Sequence, residues 1–289
     1  MKLIRFSIFA LTAIVFGSCC DTILDPYKDG VIPTTDQKVL LVDFTGDRCG
    51  NCPKGAEEAA RLHELYGDKV IIVAMHTGRT FASPDPSEGF VEDFRTAAGE
   101  GLYDFFGGPG QPTGAVNYVK GGDGNYTMAP TNWASAISKE LKKTPTMTIA
   151  VSPQFSSDSL LTVKADIKYK KASTGNHRIA MYLIEDSVVY LQKDYRKSPV
   201  IIPDYVHRHM LRGAISGGKF EDKYTGIKST AGGFGDLLPA TVASATASKT
   251  YTISFKGTKW NPKNCAVIVI INDKTTNNVL QVEEAHILK

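Results

Sequence analysis

Residues 39–53 read VLLVDFTGDRCGNCP, an apolar run that leads within a few residues to two cysteines. The consecutive apolar residues 39–42 are typical of a strand that is buried on both faces in an α/β sheet. Pro53 favours the start of a helix after the second cysteine, because proline has no N–H and the first turn of a helix needs none. The stretch therefore predicts a buried strand followed by a helix, with Cys49 and Cys52 at the junction.

The spacing of Cys49 and Cys52 suits thiol–disulfide chemistry. Two intervening residues allow the cysteines to close a disulfide within one helical turn. The helix amides and the positive end of the helix dipole stabilise a thiolate at Cys49, and the neighbouring Arg48 adds a positive charge. Because the thiolate is the nucleophile in disulfide exchange, we expect Cys49 to attack a substrate and Cys52 to resolve the mixed disulfide. No cofactor is expected for this chemistry.

Two structural interpretations of the cysteine pair compete with the redox hypothesis. A zinc site needs two more ligands, and the surrounding segment offers no second close pair of cysteine or histidine residues, so no metal site is predicted. A permanent, inert disulfide stays open as an alternative. Exposure separates the remaining hypotheses, because a reactive pair needs an accessible Cys49 sulfur and a structural pair is buried.

The segment around the cysteines, residues 42–52, resembles the active-site segment of thioredoxins. The resemblance implies that Asp43, six residues before the first cysteine, is a buried acid that accepts a proton from Cys52. It also implies that Pro112, which follows Gln111 and precedes a predicted strand, is the cis-proline that faces the cysteines and contacts the substrate backbone.

Three further residues are candidates for supporting the cysteine pair. Arg48 stands where thioredoxins have an aromatic residue just before the first cysteine. Gln111 directly precedes Pro112. His76 ends the second predicted strand, at the sheet edge where α/β sites are found, and we expect it either near Cys49 or as a capping or core histidine.

A second group of polar residues, Tyr205, His207 and His209, would share one face of a strand, since side chains alternate. A His-x-His pair on a strand can bind a transition metal, but the sequence identifies no third ligand. We therefore prefer an ordered polar cluster that stabilises the β-rich part of the chain or its contact with the first domain.

The pattern along the chain predicts two domains of different class. Residues 37–144 alternate strands and helices, as in an α/β thioredoxin-like domain. Residues 145–289 carry strands without intervening helices, which indicates a mainly antiparallel, sandwich-like β domain. In the first domain the expected strands are residues 38–44, 69–76 and 113–119 and the expected helices are 55–66, 90–98 and 131–143; in the second the expected strands are 163–170, 179–184, 251–255, 266–271 and 279–287. Residues 186–238 show the least readable pattern.

The N-terminus has the layout of an exported lipoprotein. Residues 1–18 combine a basic start with an apolar run too short to span a bilayer, which is typical of a signal peptide. Residues 16–19 read FGSC and resemble the lipobox of bacterial lipoproteins, which implies cleavage before Cys19 and a lipid anchor on that residue. Residues 19–36 then predict a flexible tether. Plain secretion, with Cys19 an ordinary thiol, is the alternative.

Composition excludes some other classes of protein. The 289 residues carry a formal net charge of +3, and removal of residues 1–18, with two basic residues and no acidic one, lowers it to +1. A nearly neutral chain offers no electrostatic surface for nucleic acid. In an exported chain we expect the close cysteine pair to be oxidised, whereas Cys265, in an apolar run, is expected to be a small buried hydrophobic residue.

A narrower resemblance spans most of the chain after the signal peptide. The segments that carry it are residues 43–46 with 49–53, 74–76, 204–212 and 279–284. They are similar to the Bacteroidetes outer-membrane lipoprotein family named for a twenty-eight-kilodalton outer-membrane protein. The resemblance implies anchoring at the outer membrane and a thioredoxin-like plus β-domain organisation, and it supplies no substrate.

Two functions follow from these observations. The first is an envelope-anchored oxidoreductase that exchanges disulfides with protein substrates through Cys49, Cys52, Asp43 and Pro112. The second is a non-catalytic outer-membrane surface or assembly protein, in which the thioredoxin-like domain is a scaffold and the β domain binds a partner envelope protein or a glycan. Fold alone does not separate the two.

Overall fold

The computed structural model describes residues 35–216 and 233–288. The predicted signal peptide, the predicted lipidation site Cys19 and most of the predicted tether lie outside the described residues. Among the helices of the described ranges, none is long and apolar enough to cross a membrane.

Taken together, the described residues form more strands than helices, and all the α-helices lie before β4. In chain order the elements are β1 Val39–Thr45, α1 Cys52–Tyr66, β2 Val70–His76, α2 Arg79–Ala82, α3 Ala97–Phe105, β3 Thr113–Val116, α4 Trp133–Leu141, β4 Met147–Phe155, β5 Leu160–Tyr169, β6 His177–Glu185, β7 Val188–Lys193, β8 Ile201–His207, β9 Met210–Ala214, β10 Asp236–Leu237, β11 Thr246–Ser254, β12 Cys265–Asp273 and β13 Val279–His286.

The largest sheet has eight strands in the order β13-β12-β6-β9-β2-β1-β3, with β10 paired to β6. β1 and β2 run parallel, and β9 joins β2 in parallel through Ala74 and Met210. The other neighbours in this sheet are antiparallel. An antiparallel sheet in the order β11-β5-β4 and the β7–β8 hairpin complete the paired strands of the described residues. The described residues are thus β-rich, with mixed and antiparallel sheets, which confirms the β-rich part of the predicted fold class; a thioredoxin-like α/β domain at residues 37–144 stays a prediction.

The large sheet crosses the domain boundary predicted between residues 144 and 145. β1, β2 and β3 come before that boundary, and β6, β9, β12 and β13 come after it. The division into two domains stays a prediction, and it does not coincide with a break in this sheet. The contact of β9 with β2 brings residues beyond position 200 beside the strands that carry Asp43 and His76.

Both faces of β1 are covered, which explains its unbroken apolar run. All residues of Val39–Thr45 are buried. Because side chains alternate along a strand, Leu40, Val42 and Phe44 pack in one core with residues of α3. Asp43 therefore faces the opposite side of the sheet, where α1 lies.

Strand β6 separates two cores. Ala180 and Tyr182 belong to the core that contains β1 and α3, whereas Met181 and Leu183 belong to a second core. This second core lies between the large sheet and the three-stranded sheet β11-β5-β4. The packing explains the alternation along β5, whose inward residues are buried while the intervening ones are partly or fully exposed.

One predicted helix is displaced along the chain. The helix that we expected at residues 90–98 begins instead at Ala97 and continues to Phe105. Its start is set by Thr96, whose hydroxyl oxygen accepts a hydrogen bond from Gly99 N at 3.1 Å.

Candidate functional site

Cys49 and Cys52 form a disulfide at the junction of β1 and α1. Cys52 is the first residue of α1, and Pro53 follows it in the first turn. The two Cα atoms are 5.3 Å apart. Hydrogen bonds from Cys49 N to Gly46 O and from Cys52 N to Cys49 O, both 3.1 Å long, hold the turn. The sulfur atoms therefore lie at a helix N-terminus, where the amide dipoles favour an anion.

Both cysteines are buried, because a segment that begins in the last two residues of β7 covers them. Cys49 is 2% exposed and Cys52 is 1% exposed. We call residues 192–196 the cover segment. The side-chain amide of Gln192 donates to the carbonyl oxygens of Gly46, at 3.2 Å, and of Cys49, at 3.1 Å. The turn that carries the disulfide is thus bonded to the cover segment.

Tyr195 of the cover segment lies directly over Gly50, the first of the two residues between the cysteines. Its backbone N donates to Gly50 O at 2.9 Å. A Cβ added at Gly50 would lie 2.4 to 2.5 Å from atoms of the Tyr195 ring, so only glycine fits below that ring. Arg196 then binds Glu57 of α1 through two hydrogen bonds of 2.7 Å. The cover segment is therefore attached both to the cysteine turn and to the helix behind it.

Gln192→Ala combined with Tyr195→Ala should expose the disulfide to small reductants. The double variant lacks the Gln192 hydrogen bonds and the ring over Gly50, whose contacts resist opening by about 1 kcal/mol each. We expect the rate of reduction by dithiothreitol, measured without denaturant, to rise by roughly tenfold or more. Val189→Ala, a change at an exposed residue of the same hairpin, is the matched control. An unchanged rate in the double variant would show that these side chains do not limit access.

Asp43 lies beside the cysteine pair, on the α1 side of β1. It lines the same cavity as Cys52, and its Oδ1 atom is 3.6 Å from the ideal Cβ position of Gly55 in α1. The side chain is buried, and no residue of the described ranges forms a hydrogen bond with Oδ1. Burial raises the pKa of Asp43 to about 7. The carboxyl group can therefore take up or release a proton near neutral pH.

The Gln111–Pro112 peptide bond is cis. Pro112 Cβ lies 3.0 Å from the ideal Cβ position of Gly55, so Pro112 and Asp43 meet the same turn of α1. Gln111 points elsewhere, because its side-chain amide donates to the carbonyl oxygen of Thr77, at 3.0 Å, and to the Thr77 hydroxyl, at 2.9 Å. Gln111 thus braces the end of β2 against the cis-proline turn.

Arg48 is turned toward acidic residues. Its guanidinium group donates to Asp85 Oδ2 at 2.7 Å and to Ser83 O at 3.2 Å, and it lies 3.7 Å from Glu88 Oε2. These two carboxylates offset its charge. Stabilisation of a Cys49 thiolate by Arg48 therefore stays a prediction. The ion pairs with Asp85 and Glu88 weaken the positive charge that such stabilisation needs.

Comparison with known protein families shows to which family the chain belongs. Residues 100–289 match the model of the family described as outer membrane protein Omp28. The chain belongs to the Omp28 family. Membership confirms the predicted location at the outer membrane. The matched region begins after the cysteine pair, so it does not bear on disulfide chemistry.

Solved structures show what the fold of this Omp28-family chain is similar to. HBP35 of Porphyromonas gingivalis aligns with a TM-score of 0.62 and 18% identity, over 88% of this chain and 76% of that one, a likeness of fold alone. A domain of the outer membrane lipoprotein Omp28 from Porphyromonas gingivalis aligns with a TM-score of 0.32 and 17% identity, over 50% of this chain and 89% of that one. Among curated proteins, none matches this chain.

The expected histidine face is only partly formed in this Omp28-family chain. β8 carries Tyr205 and His207 but ends at His207. His209 follows in a turn with φ of 52°, so it does not continue the face of the strand, and the prediction was wrong on this point. All three side chains nevertheless line the cavity that Asp43 and Cys52 also line.

His76 lies in the same cavity wall as Asp43 and Cys52. Its ring centroid is 5.3 Å from that of His207. Burial, with the nearby His207 and Arg212, holds the pKa of His76 well below its usual range, so the ring is neutral at pH 7. Within residues 35–216 and 233–288, no group of three or more His, Cys, Asp or Glu side chains is arranged to hold a metal ion.

Sequence analysis missed the cover segment. Gln192 and Tyr195 lie within residues 186–238, the least readable stretch. The run VVYLQK at residues 188–193 is rich in β-branched and aromatic residues and is a strand signal. Such a signal predicts a hairpin, but it does not show which surface the hairpin covers.

Proposed function

We propose that this chain is an outer-membrane thiol–disulfide exchange protein with Cys49 and Cys52 as its active pair. The pair would belong to a thioredoxin-like framework formed by β1, α1, β2 and β3. One observation carries the proposal: Asp43 and Pro112, which are distant in sequence, meet the first turn of the helix that begins with Cys52. Separate elements thus bring a buried acid and a cis-proline to one cysteine pair.

The exchange would proceed in two steps from the reduced form. The Cys49 thiolate attacks one sulfur of a partner disulfide, which forms a mixed disulfide and releases the other partner sulfur as a thiolate. The Asp43 carboxylate takes the proton of Cys52, whose thiolate then attacks Cys49 Sγ. This attack closes the Cys49–Cys52 disulfide and releases the second partner thiolate. The partner gains two electrons, and a dithiol partner returns them to the chain by the same steps in reverse.

The short loop that the disulfide closes argues against a purely structural role. In the chain-entropy model, closure of a four-residue loop stabilises a protein by about 2 kcal/mol, against about 3 kcal/mol for fifteen residues. Cys49 and Cys52 also belong to one turn, so their bond joins no separate elements. A crosslink between distant segments would stabilise the fold more.

A non-catalytic binding protein is the second candidate, and burial favours it. Both cysteines are almost fully covered, which matches the expectation for a structural pair. In this alternative the cover segment is permanent, and the framework only displays surfaces for partner envelope proteins. The exchange proposal requires instead that the cover segment open when a partner approaches.

Redox equilibration of the native wild-type chain separates the two candidates. The protein is incubated in dithiothreitol buffers of stepped potential without denaturant, alkylated and analysed by peptide mapping. Exchange predicts reversible reduction of Cys49 and Cys52, with a potential between about −270 and −120 mV, the range from thioredoxin to strongly oxidising proteins. Cys265 should not label, because burial raises the pKa of its thiol. A pair that stays oxidised until the chain is denatured would overturn the exchange proposal.

Cys19→Ala should move the protein from the membrane to the soluble fraction. The basic start, the short apolar run and the Ser18-Cys19 junction are the sequence features that predict lipidation at Cys19. Loss of the acyl chains removes about 0.8 kcal/mol of membrane binding for each methylene group that they bury. Fractionation together with the intact mass of the wild-type chain measures the effect. A wild-type chain without acyl mass, or a variant that stays bound, would contradict lipidation at Cys19.

A further inference from the structure

A cavity lies behind the disulfide, between α1, the strands β1 and β2, and the strand β8. Its volume is about 320 Å³, within the range of pockets that take small organic molecules. The disulfide exchange proposed above uses only the edge of this cavity, at Asp43 and Cys52. Much of its lining is apolar and comes from α1, β2 and β8: Pro53, Ala56, Ala59, Ala60, Ile72, Ala74 and Val206.

Three side chains in the lining have buried polar atoms without a hydrogen bond in the described ranges; His209 Nδ1 faces Asp186 Oδ1 at 3.6 Å, and the other two belong to His76 and Asp43. His76 is 3% exposed, and neither of its ring nitrogens forms a hydrogen bond with any residue of the described ranges. The same is true of Asp43 Oδ1. A buried polar group without a partner costs about 1 to 3 kcal/mol, so such groups are rare unless a ligand or water satisfies them. Their position in one cavity offers a bound molecule two hydrogen-bonding partners.

Aromatic rings form one side of the cavity. The ring centroid of His207 lies 5.3 Å from that of His76 and 4.9 Å from that of Tyr205, and both pairs are edge-to-face. Phe94 packs against the His76 ring at 5.5 Å and holds it in place. A flat aromatic guest can extend this edge-to-face arrangement.

Most titratable side chains of the cavity wall are neutral or paired at pH 7; Asp43, with a pKa of about 7, and the exposed Arg208 are the exceptions. Burial lowers the pKa of His207 to about 4, so His207 is neutral at pH 7, as is His76. Glu57 in the wall is paired with Arg196. A neutral histidine ring offers one N–H donor and one nitrogen acceptor.

We propose that this cavity binds a small neutral heteroaromatic molecule, with its ring against the apolar lining and its donor and acceptor paired with Asp43 and His76. The proposal concerns binding to the oxidised chain and does not depend on disulfide exchange. It gives His76 a role, which the exchange steps do not, and it gives Asp43 a second role beside proton transfer.

Indazole is a suitable probe, because it has nine heavy atoms, one N–H donor and one nitrogen acceptor. Indene has the same ring shape without polar atoms and is the matched control. Titration of the oxidised mature protein, followed by NMR, should show indazole binding with a Kd on the order of 1 mM, as expected for so small a ligand. Indene should bind roughly tenfold more weakly, because both hydrogen bonds are missing.

Three variants test the location of the site. Ala56→Leu fills the cavity from a half-buried helix position and should abolish indazole binding. His76→Leu removes one of the two hydrogen bonds and should weaken indazole binding about threefold. His286→Leu changes an exposed histidine outside the cavity and should leave binding intact. The proposal fails if indazole does not bind, if it binds no better than indene, or if Ala56→Leu leaves its affinity unchanged. Because the chain stays oxidised throughout, failure here leaves the exchange proposal standing, and the reverse also holds.

Discussion

Cys52→Ser should trap covalent complexes with partner proteins, and Cys49→Ser should trap none. Cys49 precedes α1, where the helix amides favour its thiolate, whereas Cys52 is the first helical residue and lies in the cavity wall with Asp43. Cys52 shares the cavity wall with Asp43, the acid that would take its proton, so the two cysteines should have separate roles. Without Cys52 the mixed disulfide on Cys49 cannot be resolved and accumulates. Non-reducing gels of envelope extracts, followed by mass spectrometry, measure the complexes.

Two controls make this result interpretable. The double variant Cys49→Ser with Cys52→Ser should trap nothing, and Cys265→Ser should behave like the wild type, because Cys265 is fully buried. Complexes that form equally with both single variants would contradict an ordered attack by Cys49. If no complex forms with any variant, including Cys52→Ser with Gln192→Ala and Tyr195→Ala, the non-catalytic candidate is the correct one.

Asp43→Asn should stabilise the protein at pH 8 and lose this advantage at pH 4. Burial raises the pKa of Asp43 from 3.8 to about 7. Between these values the folded chain keeps a proton that the unfolded chain has released, so the contribution of Asp43 to stability falls as pH rises through this window. Above pH 7 the buried carboxylate costs up to about 4 kcal/mol, and an amide avoids that cost.

Urea unfolding at pH 4 and pH 8 measures the effect. The difference between variant and wild type in the free energy of unfolding should change by several kcal/mol between the two pH values, in favour of the variant at pH 8. Asp158→Asn, a substitution at an exposed aspartate, is the control and should show almost no change. The exchange proposal adds that Asp43→Asn should slow the resolution step. A difference that does not vary with pH would show that Asp43 titrates normally.

Local patterns of the sequence were sufficient for the cysteine-bearing part of the fold. The apolar run at residues 39–42 predicted β1, and Pro53 predicted that a helix begins beside Cys52. The alternation at residues 163–170 predicted β5. These features could be predicted because periodicity and first-turn preferences depend on residues that are close together in the chain.

The surroundings of the disulfide were decided by tertiary structure. Residues 192–196 reach the cysteine turn through hydrogen bonds between positions more than 140 residues apart. Two of these bonds, from Lys193 N to Asp47 O and from Tyr195 N to Gly50 O, join backbone atoms. Because every residue type except proline has the same backbone groups, no side-chain pattern predicts such bonds. The sequence thus specified by itself that a disulfide-forming pair stands at the start of a helix. The tertiary structure decided that this pair is covered and that Asp43 and His76 share one cavity. Both features follow from the packing of β7, β8 and β9 beside β2, which depends on contacts across the whole fold.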